Sequence, residues 1–275
     1  MELDKLGVLT SFIHNIVVYN IPLLYGTVGE IVVEKSGSLN LGVEGIMAVG
    51  AIIGYIVGCY ANSLAVGILM AFLTAALCGL LFAVLTVSLQ ANQNITGLTL
   101  TTFGLGVYFF VGNGLKSHGW PVMGDYANIK AGSANSVGIN VKRMKYLHIC
   151  LGCGIMGIGG YYMGLNMSGS FNSSCWINGY GWIAVALVIF ANWNPVMAIG
   201  GTFVFGFFNT LRVSASSLAA AFPGLLGWLG PIPTQVYQAL PFVITAIVLV
   251  ASFIRTREGS GLPASLGVNY FREER

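Results

Sequence analysis

The sequence predicts an all-α fold: a polytopic transmembrane helix bundle of about eight spans, in a single domain covering residues 1–275. Two observations carry this. Charged residues make up only 8% of the chain and hydrophobic ones 56%, whereas a soluble domain carries about 25% charged residues. The charges are also confined to a few islands, with none between Glu44 and Lys116 and none between Lys145 and Arg212. A spanning helix needs about 20 mostly apolar residues, so each charge-free stretch holds two or three spans. Disorder requires low hydrophobicity and high charge, and the mean hydropathy of +0.80 excludes it. Alternation at ~10-residue spacing, the mark of a membrane barrel, is absent.

The elements follow in chain order. Apolar runs place spans at about residues 10–33, 45–60, 64–89 and 95–115. A polar stretch, Lys116 to Lys145, follows. Further spans read at about residues 146–165, 180–191, 196–211 and 236–254, before a basic tail. The sixth and seventh are short and are separated by Asn192-Trp193-Asn194-Pro195, which fits a tight aqueous turn or a kink within the membrane. Residues 213–235 hold Pro223, Pro231 and Pro233 and read as an irregular, partly re-entrant loop. Gly50, Gly54 and Gly58 form a small-xxx-small face that lets helices approach closely, and Gly160 and Gly164 repeat it.

Positive charge orients the bundle. Lys130, Lys142, Arg143 and Lys145 mark one cytoplasmic segment, and Arg255, Arg257, Arg272 and Arg275 mark the tail as another. The turn at Asn192 then faces inward. The N-terminus begins with acids and lacks a basic n-region, so a cleaved signal peptide is not expected. The net charge of +3 is small and scattered, and predicts no nucleic-acid partner.

Ionisable residues at membrane depth are functional candidates. Glu30, Glu34, Lys35 and Glu44 bracket Ser36-Gly37-Ser38-Leu39-Asn40-Leu41-Gly42-Val43, a poor continuous helix. It reads either as a broken helix lining a polar path or as an ordinary surface loop. Gln90, Asn92, Gln93 and Asn94 cluster between the third and fourth spans and read as a solvated turn when taken alone. Cys150 and Cys153 match a CxxC spacing, but they lie in an apolar run without a neighbouring His or acid and read as packing residues. No Walker, HExxH, GxSxG or zinc-type pattern occurs. His14, His118 and His148 lack metal-ligand spacing, so neither an enzymatic activity nor a metal site is expected.

Gly29-Glu30 and the run from Glu34 through Asn40, Glu44, Gly45 and Ile46 to Met47 resemble the signature of ABC-importer permease subunits, in the nucleoside and simple-sugar uptake group of the branched-chain amino acid and ribose permease superfamily. Ala91-Asn92-Gln93, Gly138-Ile139-Asn140-Val141, the run 181–190, Gln238-Ala239-Leu240-Pro241-Phe242 and Pro263-Ala264-Ser265-Leu266-Gly267 continue the resemblance in order. It implies a multi-pass permease of the bacterial plasma membrane, embedded in lipid and passing nucleosides or a related sugar-bearing solute. A branched-chain amino acid or ribose permease and an ATP-independent channel or facilitator are the alternatives. The implied partners are a cytoplasmic ABC ATPase subunit, a second permease subunit and an extracytoplasmic solute-binding protein. No cofactor is expected on this chain, since ATP would be bound by the partner.

The implied path residues are Glu30, Asn40, Glu44, Asn92 and Gln93. The implied ATPase-coupling residues are Asp125, Asn128, Lys130, Ser133, Gly138, Ile139 and Asn140, although Asn128-Ile129-Lys130-Ala131 departs from the family's usual Gly-acid-Asn-Pro core. The resemblance also implies one further span between the fourth span and the coupling segment, which the residues between Leu115 and Lys130 do not supply. Inverted early spans, a different span count or a lost internal segment would each explain this. The intact family blocks on both sides favour the loss, and with it a disturbed bundle and an exposed groove around residues 112–126.

Overall fold

In a computed structural model the fold is described for residues 2–116, 141–166, 171, 175–255 and 266–267. Among these residues every regular element is helical. They are α1 (Glu2–Lys35), α2 (Val43–Ala61), α3 (Leu64–Ala83, running into a π turn over Val84–Ser88), α4 (Gln93–Lys116), α5 (Val141–Asn166), α6 (Tyr180–Phe190), α7 (Pro195–Ala221), the single turn α8 (Pro223–Leu226) and α9 (Thr234–Arg255).

Six of the helices (α1 to α5 and α7) are long and apolar enough to cross a membrane. The sequence reading expected about eight. Its sixth span is the 11-residue α6, about 16 Å long at 1.5 Å per residue and too short for a ~30 Å core. Its eighth is α9, with 22 residues. Its seventh ended too early. Residues 213–221 continue α7 rather than opening a loop, because Val213-Ser214-Ala215-Ser216-Ser217-Leu218-Ala219-Ala220-Ala221 contains strong helix formers and no breaker before Pro223.

The turns between helices have local causes. Asn62 takes a left-handed conformation (φ 46°) and its N–H returns to the last carbonyls of α2. The Ser63 hydroxyl then accepts from Val66 N–H at 3.4 Å and starts α3. Asn194 caps α7 by accepting from Val196 N–H at 2.9 Å, with Pro195 in the first helical position where its missing N–H costs nothing.

Helix α5 is central and packs on α1, α2 and α3 through glycines. Gly29 lies on Gly152, Gly157 on Gly50 and Ala71, and Gly160 on the Met47 carbonyl. The expected small-residue faces are therefore real packing faces, since any Cβ at Gly160 would stand 2.0 Å from that oxygen. Cys153 also packs against Gly79. All five cysteines are free, so the CxxC spacing forms no disulfide.

The order of these contacts fixes direction. On α1 and α5, Gly29 meets Gly152 while Pro22 and Tyr25 meet Gly159. On α3 and α5, Gly79 meets Ile149 and Cys153 while Gly67 meets Tyr161. Both pairs are antiparallel. Helix α4 follows α3 through a short turn and runs beside α2 in the same direction, with Gly42 on Gly97 and Gly45 on Leu100 and Thr101. Thus α4 and α5 point the same way, and Lys116 and Val141 lie at opposite ends of the bundle. The parity mismatch inferred from the sequence is present in the fold. Helix α4 makes no contact with α5 and packs chiefly on α2. It leaves Ile95, Phe103 and Phe110 exposed.

One end of the bundle gathers the C-terminus of α1, the α3–α4 turn, the start of α5 with Arg143 and Lys145, the Asn192 turn and Gly267, while the start of α2 lies about one short helix deeper, against the N-terminus of α6. The tail attaches where Gly267 N–H donates to the Gly37 carbonyl at 3.3 Å. The positive-inside rule assigns this basic end to the cytoplasm, and the Asn192 turn lies at that same end. The chain is a multi-pass membrane protein.

Candidate functional site

Helix α1 ends at Lys35, and residues 36–42 run without helix into α2. Two glycines, two serines and an asparagine prevent helix continuation there, and Gly37 takes φ 85°. The segment is buried: Ser38 is 1% and Asn40 0% exposed. The segment is therefore a buried break between helices and not a surface loop.

Buried polar backbone must find partners, and the family-signature residues supply them. The Asn40 side chain donates to Glu30 Oε2 at 3.2 Å and accepts from Gly42 N–H at 2.9 Å. Gln93 Oε1 accepts from Leu39 N–H at 2.7 Å, and the Thr101 hydroxyl donates to the Leu41 carbonyl at 2.9 Å. Helix α4 thus clamps the broken segment from one side.

The carboxylates hold the other side. Glu30 and Glu34 lie one turn apart on α1, both buried, with their carboxyl groups against each other. Trp193 Nε1 donates to Glu34 Oε2 at 2.5 Å. Trp193 sits at φ 56° after Asn192 at φ 50°. A bulky residue there costs about 1–3 kcal/mol, which the buried bond to Glu34 and the packing on Ile31 and Val188 offset. Glu44 caps α6: Oε1 accepts from Gly179 N–H and Oε2 from Gly181 N–H, each at 2.7 Å. A carboxylate there satisfies orphan helix donors and complements the positive end of the helix.

The structure therefore unites Glu30, Asn40 and Gln93 around the broken segment and places Glu44 beside it on α6. Asn92 stands apart: it is exposed and caps α4 by accepting from Ile95 N–H at 3.1 Å. Asp125, Asn128, Lys130, Ser133, Gly138, Ile139 and Asn140 lie outside the described residues, as does much of the expected groove at 112–126. Among the described residues no group of His, Cys, Asp or Glu has an arrangement able to hold a metal.

Sequence reasoning missed a cavity of ≈ 280 Å³ next to these elements. Its walls are Leu23 of α1, Asn178, Tyr180 and Ile183 at the start of α6, Phe205, Asn209 and Arg212 on α7, and Phe242 of α9. Phe205, Asn209 and Arg212 share one face of α7 by their spacing. The Asn209 amide donates to the Tyr180 hydroxyl. Leu23 lies about 18 Å along α1 from Lys35 at 1.5 Å per residue, near the middle of a ~30 Å core. The signal was available: Arg212 is the lone charge between Lys145 and Arg255. Because the seventh span was ended one residue before it, Arg212 was not read as intramembrane.

The comparisons with known proteins agree with this architecture. Residues 12–119 match the family described as the branched-chain amino acid transport system / permease component. The ABC transporter permease protein TsgC13 of Haloferax volcanii, provisionally assigned to glucose, is 30% identical over 91% of this chain and 94% of its own length. The chain belongs to the ABC-transporter permease family. The nucleoside ABC transporter permease protein NupC of Lactococcus lactis is 27% identical, and the guanosine ABC transporter permease protein NupQ of Bacillus subtilis 24% identical, each over 99% of this chain and all of the relative. No solved structure matches the permease.

The alignments to NupC and NupQ run over 331 and 332 positions, against 275 residues here. Those relatives therefore carry some tens of residues with no counterpart in this permease, enough for at least one span at about 20 residues. The family match ends three residues beyond α4, just before the stretch that has to join opposite ends of the bundle.

Proposed function

We propose that this permease is the transmembrane subunit of an ATP-driven importer that passes nucleosides or a closely related sugar-bearing solute. The observation that carries the reading is similarity along the whole chain to two permeases named for a nucleoside and for guanosine. Glucose is the second reading, favoured by the 30% identity to TsgC13. The chain is a transport subunit rather than an enzyme, and ATP is hydrolysed by a partner ATPase. A second permease subunit and an extracytoplasmic binding protein complete the assembly.

The ATPase docks at the basic end, and Asp125, Asn128, Lys130, Ser133, Gly138, Ile139 and Asn140 are its coupling residues. Glu30, Asn40, Glu44 and Gln93 hold the broken helix against α4 and α6. Movement at the coupling segment then reaches the midplane through α5, which packs on α1, α2 and α3. The path opens as helices rock about a central site. The deficit relative to NupC and NupQ is a lost segment after α4, supported by the end of the family match at residue 119.

Uptake tests the solute class. Cells lacking the chain should lose uptake of labelled guanosine and regain it on complementation, with glucose and leucine uptake unchanged. Loss of glucose uptake alone would select the second reading, and unchanged uptake of all three would refute the proposal.

A further inference from the structure

Arg212 is placed where a cation is expensive. It lies about 25 Å along α7 from Pro195 at 1.5 Å per residue, inside the reach of a ~30 Å membrane core; the residue is half-buried, and its Nε is buried without a hydrogen-bond partner among the described residues. No described carboxylate pairs with it; the polar groups that share its cavity are the neutral Asn178, Asn209 and Tyr180. An intramembrane charge faces a water-filled cavity or a partner. Here the cavity is present and the protein supplies no anion among the described residues. A guanidinium carries five N–H donors and no acceptor, so whatever completes this site must present acceptors, ideally two side by side to match the planar fork.

The remaining walls narrow the class further. Phe205 and Phe242 line the cavity with aromatic side chains, and Leu23 and Ile183 add apolar surface. A hexose can offer vicinal hydroxyls to the fork but no extended flat π face to the aromatic side chains. A planar heterocycle with adjacent acceptors fits both the fork and the aromatic walls. The O6 and N7 edge of an oxo-purine has this geometry, and Arg reads it bidentately, whereas adenine replaces O6 by an N6 donor that would face another donor.

We propose that this cavity is the solute-reading site of the permease and that Arg212 receives the O6/N7 edge of an oxo-purine base. The inference rests on the nucleoside reading above and names the base class within it. Asn209 and Tyr180, already bonded to each other, are positioning residues that hold the α6 start beside the guanidinium.

The test is equilibrium binding of labelled guanosine to the full permease with its co-purifying subunits in lipid nanodiscs, with inosine, adenosine, glucose and leucine as competitors. Inosine should compete like guanosine, and adenosine roughly tenfold more weakly or worse, the scale of one bidentate pair. Arg212→Lys keeps the charge but loses the fork; it should weaken guanosine about tenfold and leave adenosine unchanged. Asn209→Asp places a carboxylate beside Arg212; it should abolish guanosine binding without lowering the melting temperature. Guanosine binding that saturates normally in both variants would overturn the cavity assignment and leave the nucleoside reading intact. Saturable glucose binding with no nucleoside binding would overturn the nucleoside reading, and this proposal with it.

Discussion

Replacing Glu44 by Gln should loosen α6 while leaving the rest of the bundle in place. The carboxylate accepts two short N–H bonds, from Gly179 and Gly181, both at 2.7 Å and at the positive end of a helix. Gln keeps one acceptor oxygen and turns an NH2 donor toward the second N–H. One bond to a charged acceptor is worth about 1.5–3 kcal/mol, and the charge at the helix end adds about 0.3–1 kcal/mol. The two together give about 2–4 kcal/mol, concentrated on an 11-residue helix. Hydrogen exchange in nanodiscs should show faster exchange at residues 179–183, by roughly 30-fold or more at 1.4 kcal/mol per decade, with α3 and α5 unchanged. Uptake should fall while assembly with the ATPase persists. Exchange at 179–183 equal to wild type would refute the capping role, and loss of protection throughout the bundle would refute its local character.

Other outcomes follow from the same contacts. Gly160→Ala should lower the melting temperature, because its Cβ meets the Met47 carbonyl at 2.0 Å and overpacking costs about 1–3 kcal/mol; Gly106→Ala, with open space around it, should not. Trp193→Phe should cost about 1–3 kcal/mol by stranding a buried Glu34 oxygen, read as thermal destabilisation that Glu34→Gln does not relieve. Asn40→Ala should reduce uptake without preventing assembly. Single cysteines test direction: Ser133→Cys should be labelled only from the inner face and Asn62→Cys, on the exposed α2–α3 turn, only from outside. Labelling of Ser133→Cys from outside intact cells would sink the topology.

Much of this fold was legible because lipid imposes one rule on long apolar runs. Spans one to five followed from hydropathy alone, and the placing of the Asn192 turn at the basic end followed from Lys/Arg placement. The glycine faces were legible too, since only close helix crossing demands such spacing. The broken segment at 36–42 was ambiguous, because Ser, Gly and Asn mark an exposed loop and a buried helix break alike; only the partners of Asn40, Gln93 and Glu44 decide between them. Those partners are remote in sequence: Glu44 bonds Gly179 and Gly181, and Glu34 bonds Trp193. Arg212 was missed for a different reason. The reading ended α7 at the charge itself, treating a costly residue as a boundary, although Ala and Ser beyond it carry the helix on.

The role proposed above is that of the membrane half of an ATP-driven nucleoside importer with its ATPase at the basic end. Purification of the chain from native membranes into nanodiscs, followed by ATP hydrolysis assays, tests this directly. The account predicts that an ATPase subunit co-purifies and that its hydrolysis rate rises when guanosine is supplied with the binding protein. Purification of the chain without any ATPase, or hydrolysis that responds to glucose and to no nucleoside, would contradict it.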